Sequence, residues 1–187
     1  MNYMGDSDWW NVRFKARALS IMAHEKCLED DIIYFSKKGR ILDVACGDGR
    51  NAIYLARLGY EVMAIDFSQE ALERLDYFAE KESLKIETKL VDLSKDDSLS
   101  HLGKFEVIII NHYRLKPQLY MNLMNSIYKD GVLWVNGFNE MPNDNPNVTK
   151  SDLLKESDFV SLERYHLVDK KIYEINKRKF IRCIWRK

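Results

Sequence analysis

The sequence predicts an α/β fold in which helices cover both faces of a doubly wound, mostly parallel sheet. Two patterns lead to that reading. Short strand-like runs alternate with segments of helical spacing through most of the 187 residues, as expected of consecutive βαβ units. The most apolar of these runs, Phe105 to Ile110, is β-branched and uninterrupted from Val107 onward, as in a central strand buried on both faces. Composition agrees: 46% apolar and 31% charged residues describe an ordinary globular chain, long enough for one sizeable core.

Each element has its own signal. Asp8 to about Phe35 mixes apolar and polar residues at helical spacing. Arg40 to Ala45 reads as the first buried strand. Arg50 to Leu58 reads as a short helix, followed by Gly59 where a left-handed cap belongs. Glu61 to Ile65 is the second strand, and Ser68 is placed to cap a helix running to about Glu82. Lys85 to Val91 is the third strand and Phe105 to Ile110 the fourth. Pro117 suits the first turn of a helix ending near Gly131, and Val132 to Phe138 is the fifth strand. Asn139 to Thr149, with two prolines and four asparagines, is a loop. Lys150 to Glu156 is a short helix, and Phe159 to Val168 with Phe180 to Arg186 form a closing antiparallel pair. One domain is expected over 1–187. It comprises an N-terminal helical cap (1–37), a ligand-binding core (38–138), and a C-terminal part with the loop, short helix and hairpin (139–187).

In open sheets of this kind ligands bind at the carboxyl ends of the strands, where strand order reverses. The first such end reads Asp43-Val44-Ala45-Cys46-Gly47-Asp48-Gly49-Arg50-Asn51-Ala52. Gly47 and Gly49 permit a tight turn and a close approach of ligand to backbone. The helix that starts at once offers free N–H groups and a positive dipole end to an anionic group such as a carboxylate. Asp66, at the end of the second strand, can accept hydrogen bonds from both hydroxyls of a ribose. Asp92, at the end of the third, can receive an exocyclic amine of adenine, with Phe67 or Leu93 against the ring. Either aspartate alone would more often be a turn or cap residue; the combination at successive strand ends is more specific.

Gly47, Gly49 and Ala52 also fit the G-x-G-x-x-A dinucleotide fingerprint, so an NAD(P)-dependent oxidoreductase is the natural competitor. Asp43 argues against it, because a carboxylate inside the first strand suits an amino group and repels a pyrophosphate. Too little chain remains for a second mononucleotide half, and no substrate domain follows.

Residues Ile41 to Ala52, with Asp66 and Asp92, resemble the class I S-adenosylmethionine-dependent methyltransferases. The likeness covers residues 38 to 138 well. Within that class the chain is similar to the small bacterial group of tellurite-resistance-type enzymes, most clearly over Cys46 to Ala56 and in Trp10-Asn11-Val12-Arg13-Phe14. The resemblance implies a Rossmann-like sheet of about seven strands with an antiparallel C-terminal hairpin. It also implies S-adenosyl-L-methionine as cofactor and S-adenosyl-L-homocysteine as product, with methyl transfer to a small-molecule acceptor by direct displacement. Asp43 and the loop of Ala45, Cys46, Gly47, Gly49 and Asn51 would hold the methionine moiety. Asp66 would hold ribose, Asp92 with Leu93 adenine, and Asn111 would lie near the methyl donor. The group's C-terminal His-Arg pair has no counterpart here, since Leu167 follows His166. That departure bears on an oxyanion substrate and leaves cofactor binding intact. A protein that keeps the cofactor site without turnover is a further alternative.

Asn111-His112-Tyr113-Arg114 follows the fourth strand, where substrate-facing groups are placed in such folds. His112 can serve as a general base, with Tyr113 beside it, or simply pack. The N-P-P-Y or D-P-P-Y motif of amino-methyltransferases acting on nucleic acid is absent. Trp10 and Arg13 can form a lid over the cofactor or an amphipathic helix packed on the sheet edge. The basic stretch 169–187 suits an RNA footprint or, more simply, charged hairpin edges. No histidine cluster points to a metal. Cys27, Cys46 and Cys183 are odd in number with no metal-like spacing, which suits a reducing cytoplasm. Equal numbers of acidic and basic residues, 29 each, give no general nucleic-acid or membrane signal. No signal peptide is read, and a monomer or homodimer is expected.

Overall fold

A computed structural model describes residues 6–95 and 97–187; the first five residues of the N-terminal cap and Asp96 lie outside it. Seven strands form one sheet in the order β3-β2-β1-β4-β5-β7-β6. They are β1 (Arg40–Val44), β2 (Glu61–Asp66), β3 (Ile86–Leu90), β4 (Phe105–Asn111), β5 (Ile127–Phe138), β6 (His166–Ile175) and β7 (Arg178–Arg186). The first five strands run parallel, and β7 lies antiparallel to both β5 and β6. The helices are α1 (Ser7–Ala16), α2 (Lys26–Asp31), α3 (Arg50–Arg57), α4 (Gln69–Lys81) and α5 (Leu119–Ser126). The predicted doubly wound sheet with an antiparallel C-terminal hairpin is therefore observed.

The central strands are buried on both faces because both sides of their pleat are apolar. Leu42, Val44, Ile108, Ile110, Leu133 and Val135 face one layer, closed by α5 through Leu119, Leu123 and Met124. Ile41, Val107, Ile109, Val132 and Trp134 face the other, closed by α3 and α4 through Ile53, Leu55, Leu75 and Phe78. The chain winds from β1 outward to β3, then returns across β1 to β4, so strand order reverses between β1 and β4. That reversal opens a crevice at the carboxyl ends of these two strands.

Four sequence expectations change. The segment 8–35 is not one helix: α1 is followed by an irregular stretch, then by α2 and a 3₁₀ turn over Ile32–Tyr34. The helix after Pro117 stops at Ser126, because Ile127 turns extended and enters the core as the start of β5 opposite Phe105. The short helix expected over 150–156 is instead a 3₁₀ helix over Glu156–Leu162. It buries Phe159 and Leu162 against the α5 layer, which removes them from the predicted strand. The penultimate strand thus begins later, at His166. It joins β7 through Asn176 and Lys177, both with positive φ, as a tight two-residue hairpin turn requires.

Candidate functional site

Three residues in the loop after β1 adopt the left-handed conformation: Ala45, Gly47 and Gly49, with φ of 57°, 57° and 83°. At Gly49 a Cβ would sit 2.1 Å from Leu75 Cδ1, so only glycine lets the loop lie against α4. At Gly47 a Cβ would stand 3.3 Å from the ring of Phe14, so the loop surface lies directly beneath α1. His112, just past β4, is left-handed as well, with φ of 56°. Non-glycine residues seldom adopt this conformation, and two of them, Ala45 and His112, flank the β1–β4 crevice.

The loop is tied to the next strand by Asp66. Its Oδ2 accepts from the Gly47 N–H at 2.9 Å and its Oδ1 from the Ser68 N–H at 2.9 Å. Burial raises the Asp66 carboxyl above the usual range, against the pull of these backbone donors. Asp43 is 1% exposed, and its Oδ2 is buried with no hydrogen-bond partner. Burial, together with the neighbouring charge of Asp66, pushes its carboxyl up to about 8, while Arg50 and the Ala52 N–H pull the other way. A buried acid with one unpartnered oxygen beside a glycine loop and the start of a helix fits a zwitterionic ligand: ammonium to Asp43, carboxylate toward the α3 N–H groups.

At the third strand end, Asp92 is half exposed and its Oδ1 accepts from the Ser94 N–H at 2.9 Å. The Ser94 hydroxyl, with this backbone bond, holds its carboxyl below the usual range. Phe67 is partly exposed beside Asp66. Leu93 is not available as a ring platform in this form, because it is 5% exposed and packed in the α5 layer. Cys46 bridges back to β2, its N–H donating to Ile65 O at 3.0 Å, and its thiol turns onto Gly47 O.

The N-terminal segment packs over the loop, but through other side chains than Trp10 and Arg13. Phe14, 4% exposed, lies over Gly47. Asn11 Oδ1 receives Ser68 Oγ at 2.7 Å and the Glu70 N–H at 3.3 Å, which latches α1 to the start of α4. Arg17 and the buried Arg74 both reach Asp48 Oδ2 at 3.3 Å. Trp10 packs on Phe14, whereas the Arg13 guanidinium stacks on the Trp9 ring at 4.4 Å.

Sequence reasoning missed Glu25. The irregular stretch between α1 and α2 is laced to the core by Arg74, which donates to Arg17 O and Ala18 O, and by Asn51, whose Oδ1 receives the Glu25 N–H at 2.9 Å. Asn51 therefore holds protein backbone. The Glu25 Oε2 meets Arg50 at 2.8 Å, His112 Nε2 at 3.1 Å and Asn111 Nδ2 at 3.4 Å. Burial would raise this carboxyl, yet His112, Arg50 and Asn111 together hold it down at about 2. Asn111 also accepts from Asn136 Nδ2 at 2.9 Å, and Asn136 Oδ1 receives Tyr173 O–H at 2.9 Å. No spacing in the sequence signals Glu25, because its partners belong to elements far along the chain.

The remaining candidates divide. His112 enters the crevice, its ring against Phe138 and Phe180 with centroids 5.0 and 5.2 Å away. Tyr113 packs against the α5 layer. Arg114 is committed elsewhere: it forms a two-pronged ion pair with the buried Asp158, at 2.8 and 2.6 Å, that anchors the 3₁₀ helix. The described residues contain no His, Cys, Asp or Glu group able to hold a metal.

Residues 6–140 match the family described as "Tellurite resistance protein TehB". Over 55 residues the chain is 42% identical to the probable S-adenosyl-L-methionine-dependent methyltransferase TehB of Haemophilus influenzae (strain 10810), covering 29% of this chain and 19% of that protein. It is 30% identical over 140 residues to a ubiquinone biosynthesis O-methyltransferase of Rickettsia typhi, covering 71% of this chain and 56% of that one. The crystal structure of TehB from Haemophilus influenzae superposes with a TM-score of 0.72 at 19% identity, over 97% of this chain and 66% of that chain. The chain thus spans from a fifth to somewhat over half the length of these two curated relatives.

Proposed function

Since the chain belongs to the TehB family, we propose that it is an S-adenosyl-L-methionine-dependent methyltransferase acting on a small-molecule acceptor. The observation that carries this reading is the buried, unpartnered Oδ2 of Asp43 at the foot of the Gly47–Gly49 loop. A cationic amino group satisfies it; a dinucleotide pyrophosphate would face Asp43 and Asp66, which no side-chain cation contacts, and this disfavours the oxidoreductase alternative. Ala45, Cys46, Gly47 and Gly49 form the cradle for the methionine moiety, Asp66 faces the ribose, and Asp92 faces the adenine with Phe67 against its ring. Asn111 stands beside the methyl donor, with His112 and Tyr113 on the acceptor side.

When bound, the cofactor supplies a methyl carbon on a good leaving group, so the protein's main task is alignment of the acceptor and exclusion of water. Phe14, with Trp10 outside it, closes the crevice above Gly47, and Arg17, Arg74 and Asn11 hold that cover in place. The likeness to an O-methyltransferase supports an oxygen acceptor over a nucleic-acid base. We read the chain as one domain working as a monomer or homodimer in the cytoplasm. Among the described residues no helix is long and apolar enough to cross a membrane.

The test is calorimetric titration with S-adenosyl-L-methionine and S-adenosyl-L-homocysteine, with NADH as control. Binding near −8 kcal/mol, a micromolar dissociation constant, is expected for the sulfur nucleotides and none for NADH. An Asp66→Ala variant should lose that binding. Heat with NADH alone would return the chain to the oxidoreductase reading.

A further inference from the structure

The acceptor side of the crevice contains a buried carboxylate that cofactor binding does not use. Glu25 Oε2 lies 3.1 Å from His112 Nε2. That nitrogen is buried and has no hydrogen-bond partner of good geometry, Glu25 included; the Glu25 carboxylate faces it at ion-pair distance, while the His112 side chain as a whole remains 28% exposed. The ring therefore turns Nε2 inward to Glu25 and keeps its solvent exposure elsewhere. Its plane is fixed by Phe138 and Phe180, and its backbone by the N–H bond to Asn136 O at 2.7 Å. Glu25 is fixed in turn by Arg50, Asn111 and its own backbone bond to Asn51. This is a nitrogen base backed by an orienting carboxylate, at the end of the strand that faces the methyl donor.

The charges around it restrict what can be methylated. Arg50 is paired with Glu25, Arg114 with Asp158, and Arg17 and Arg74 with Asp48. The guanidinium groups that reach this edge are thus engaged by carboxylates, and a free anion entering beside Glu25 would have to compete with one of them. A neutral acceptor that surrenders a proton on site meets no such competition.

We propose that Glu25 is a positioning residue that holds the His112 proton on Nε2, leaving Nδ1 as the base for a neutral acceptor carrying an O–H or S–H group. His112 takes that proton on Nδ1; the electron pair left on oxygen or sulfur forms the bond to the methyl carbon, and the pair of the broken C–S bond leaves with the cofactor's sulfur. The imidazolium so formed is stabilised by the Glu25 carboxylate. The proposal rests on the methyltransferase reading above, and its test is chosen so that the two can fail separately.

The experiment is long-range ¹H–¹⁵N correlation spectroscopy of the ¹⁵N-histidine-labelled full chain bound to S-adenosyl-L-homocysteine. The chain has four histidines. His112 is assigned with His112→Asn, since asparagine tolerates the left-handed backbone there. The expected result in the wild-type protein is a neutral His112 protonated at Nε2. A Glu25→Leu variant should spread the proton over both nitrogens, and Glu25→Gln, whose amide oxygen still accepts from Nε2–H, should restore the wild-type pattern. A wild-type ring protonated at Nδ1 overturns the proposal without any variant, and so does a Glu25→Leu spectrum identical to wild type. Phenol, 2-mercaptoethanol and tellurite are then added in turn to the complex. Shifts of the His112 signals with phenol or 2-mercaptoethanol and none with tellurite support the acceptor class; shifts with tellurite, or with none of the three, overturn it. Failure of S-adenosyl-L-homocysteine to bind at all would instead refute the methyltransferase reading.

Discussion

Two halves of the same sheet edge treat buried acids in opposite ways. At the ends of β1 and β2, Asp43 and Asp66 sit buried with no side-chain cation in contact, and both carboxyls are pushed upward. A few residues away, at the end of β4, Glu25 is nearly as buried but is surrounded by Arg50, His112 and Asn111 and is held down at about 2. Desolvation is the same physical cost in both halves; the difference is whether the protein supplies the compensating charge. Where it does, the acid belongs to the fold and can orient a neighbour. Where it does not, the compensating charge is left for a ligand.

The sharpest way to break this contrast is to remove the cation from the satisfied half. Arg50→Met leaves Glu25 with His112 and Asn111 but without its guanidinium, and a stranded buried charge is costly. Because both groups keep some exposure, at 23% and 11%, the expected loss is about 3 kcal/mol, at the low end for such pairs. Urea denaturation measures it. The sign with pH follows from the lowered carboxyl: its contribution to stability is complete above the unfolded value of 4.5 and is lost as pH falls toward about 2. Acid unfolding of Arg50→Met should accordingly begin at higher pH than that of the wild type.

The converse change belongs in the unsatisfied half. Asp43→Asn should weaken S-adenosyl-L-homocysteine by about a hundredfold, roughly 2.7 kcal/mol, since the amino group loses its charged partner. The same variant should stabilise the unliganded protein near neutrality, by about 1 kcal/mol or a few degrees in Tm. An acid whose folded pKa is raised from 3.8 to about 8 subtracts stability progressively as pH rises through that window, and the amide does not. Calorimetry and thermal denaturation give the two readings. Weaker binding without the gain in stability would mean that Asp43 is satisfied in the free protein.

What the sequence disclosed follows the same division. The strand ends that need only a local signal were legible: glycines in a turn, an acid closing a strand, Ser68 before a helix. Its Oγ does accept from the Ala71 N–H at 3.2 Å. Features built from distant partners were not. Glu25 takes its role from Arg50, 25 positions away, and Arg114 is diverted from the crevice by Asp158, 44 positions away. The early end of α5 was equally hidden, because Ile127 enters β5 on account of its burial opposite Phe105, a tertiary effect that outweighs helical spacing.

A smaller effect than either substitution should come from pH alone. An ammonium group bound at Asp43 favours the ionised carboxylate, so binding releases a proton whenever pH lies below the free protein's value of about 8. The affinity for S-adenosyl-L-homocysteine should therefore rise with pH, by up to about tenfold per unit between roughly pH 6 and pH 8, and then level off. Titrations in buffers of different ionisation enthalpy would detect the released proton directly. In Asp43→Asn the slope should vanish. A slope that survives the substitution would assign the proton to another group at this edge, with Asp66 the first to examine.

The smallest expected effect concerns the cover over the loop. Phe14 is buried above Gly47, while Trp9 on the same helix is 40% exposed and turned toward Arg13. If α1 closes the crevice, Phe14→Ala should weaken S-adenosyl-L-homocysteine by about fivefold, near 1 kcal/mol, whereas Trp9→Ala should change it less than twofold. Both variants lose aromatic surface, so a general loosening of α1 would affect them alike. Hydrogen exchange separates the cases further. Ligand should protect the amides of α1 in the wild type and in Trp9→Ala, because Asn11 and Arg17 still latch the helix over a filled site. In Phe14→Ala that protection should fall, because the cover keeps its latches but loses the surface that rests on the loop. Equal protection in all three would make α1 a packing element, leaving the loop and its unsatisfied acids to hold the ligand without it.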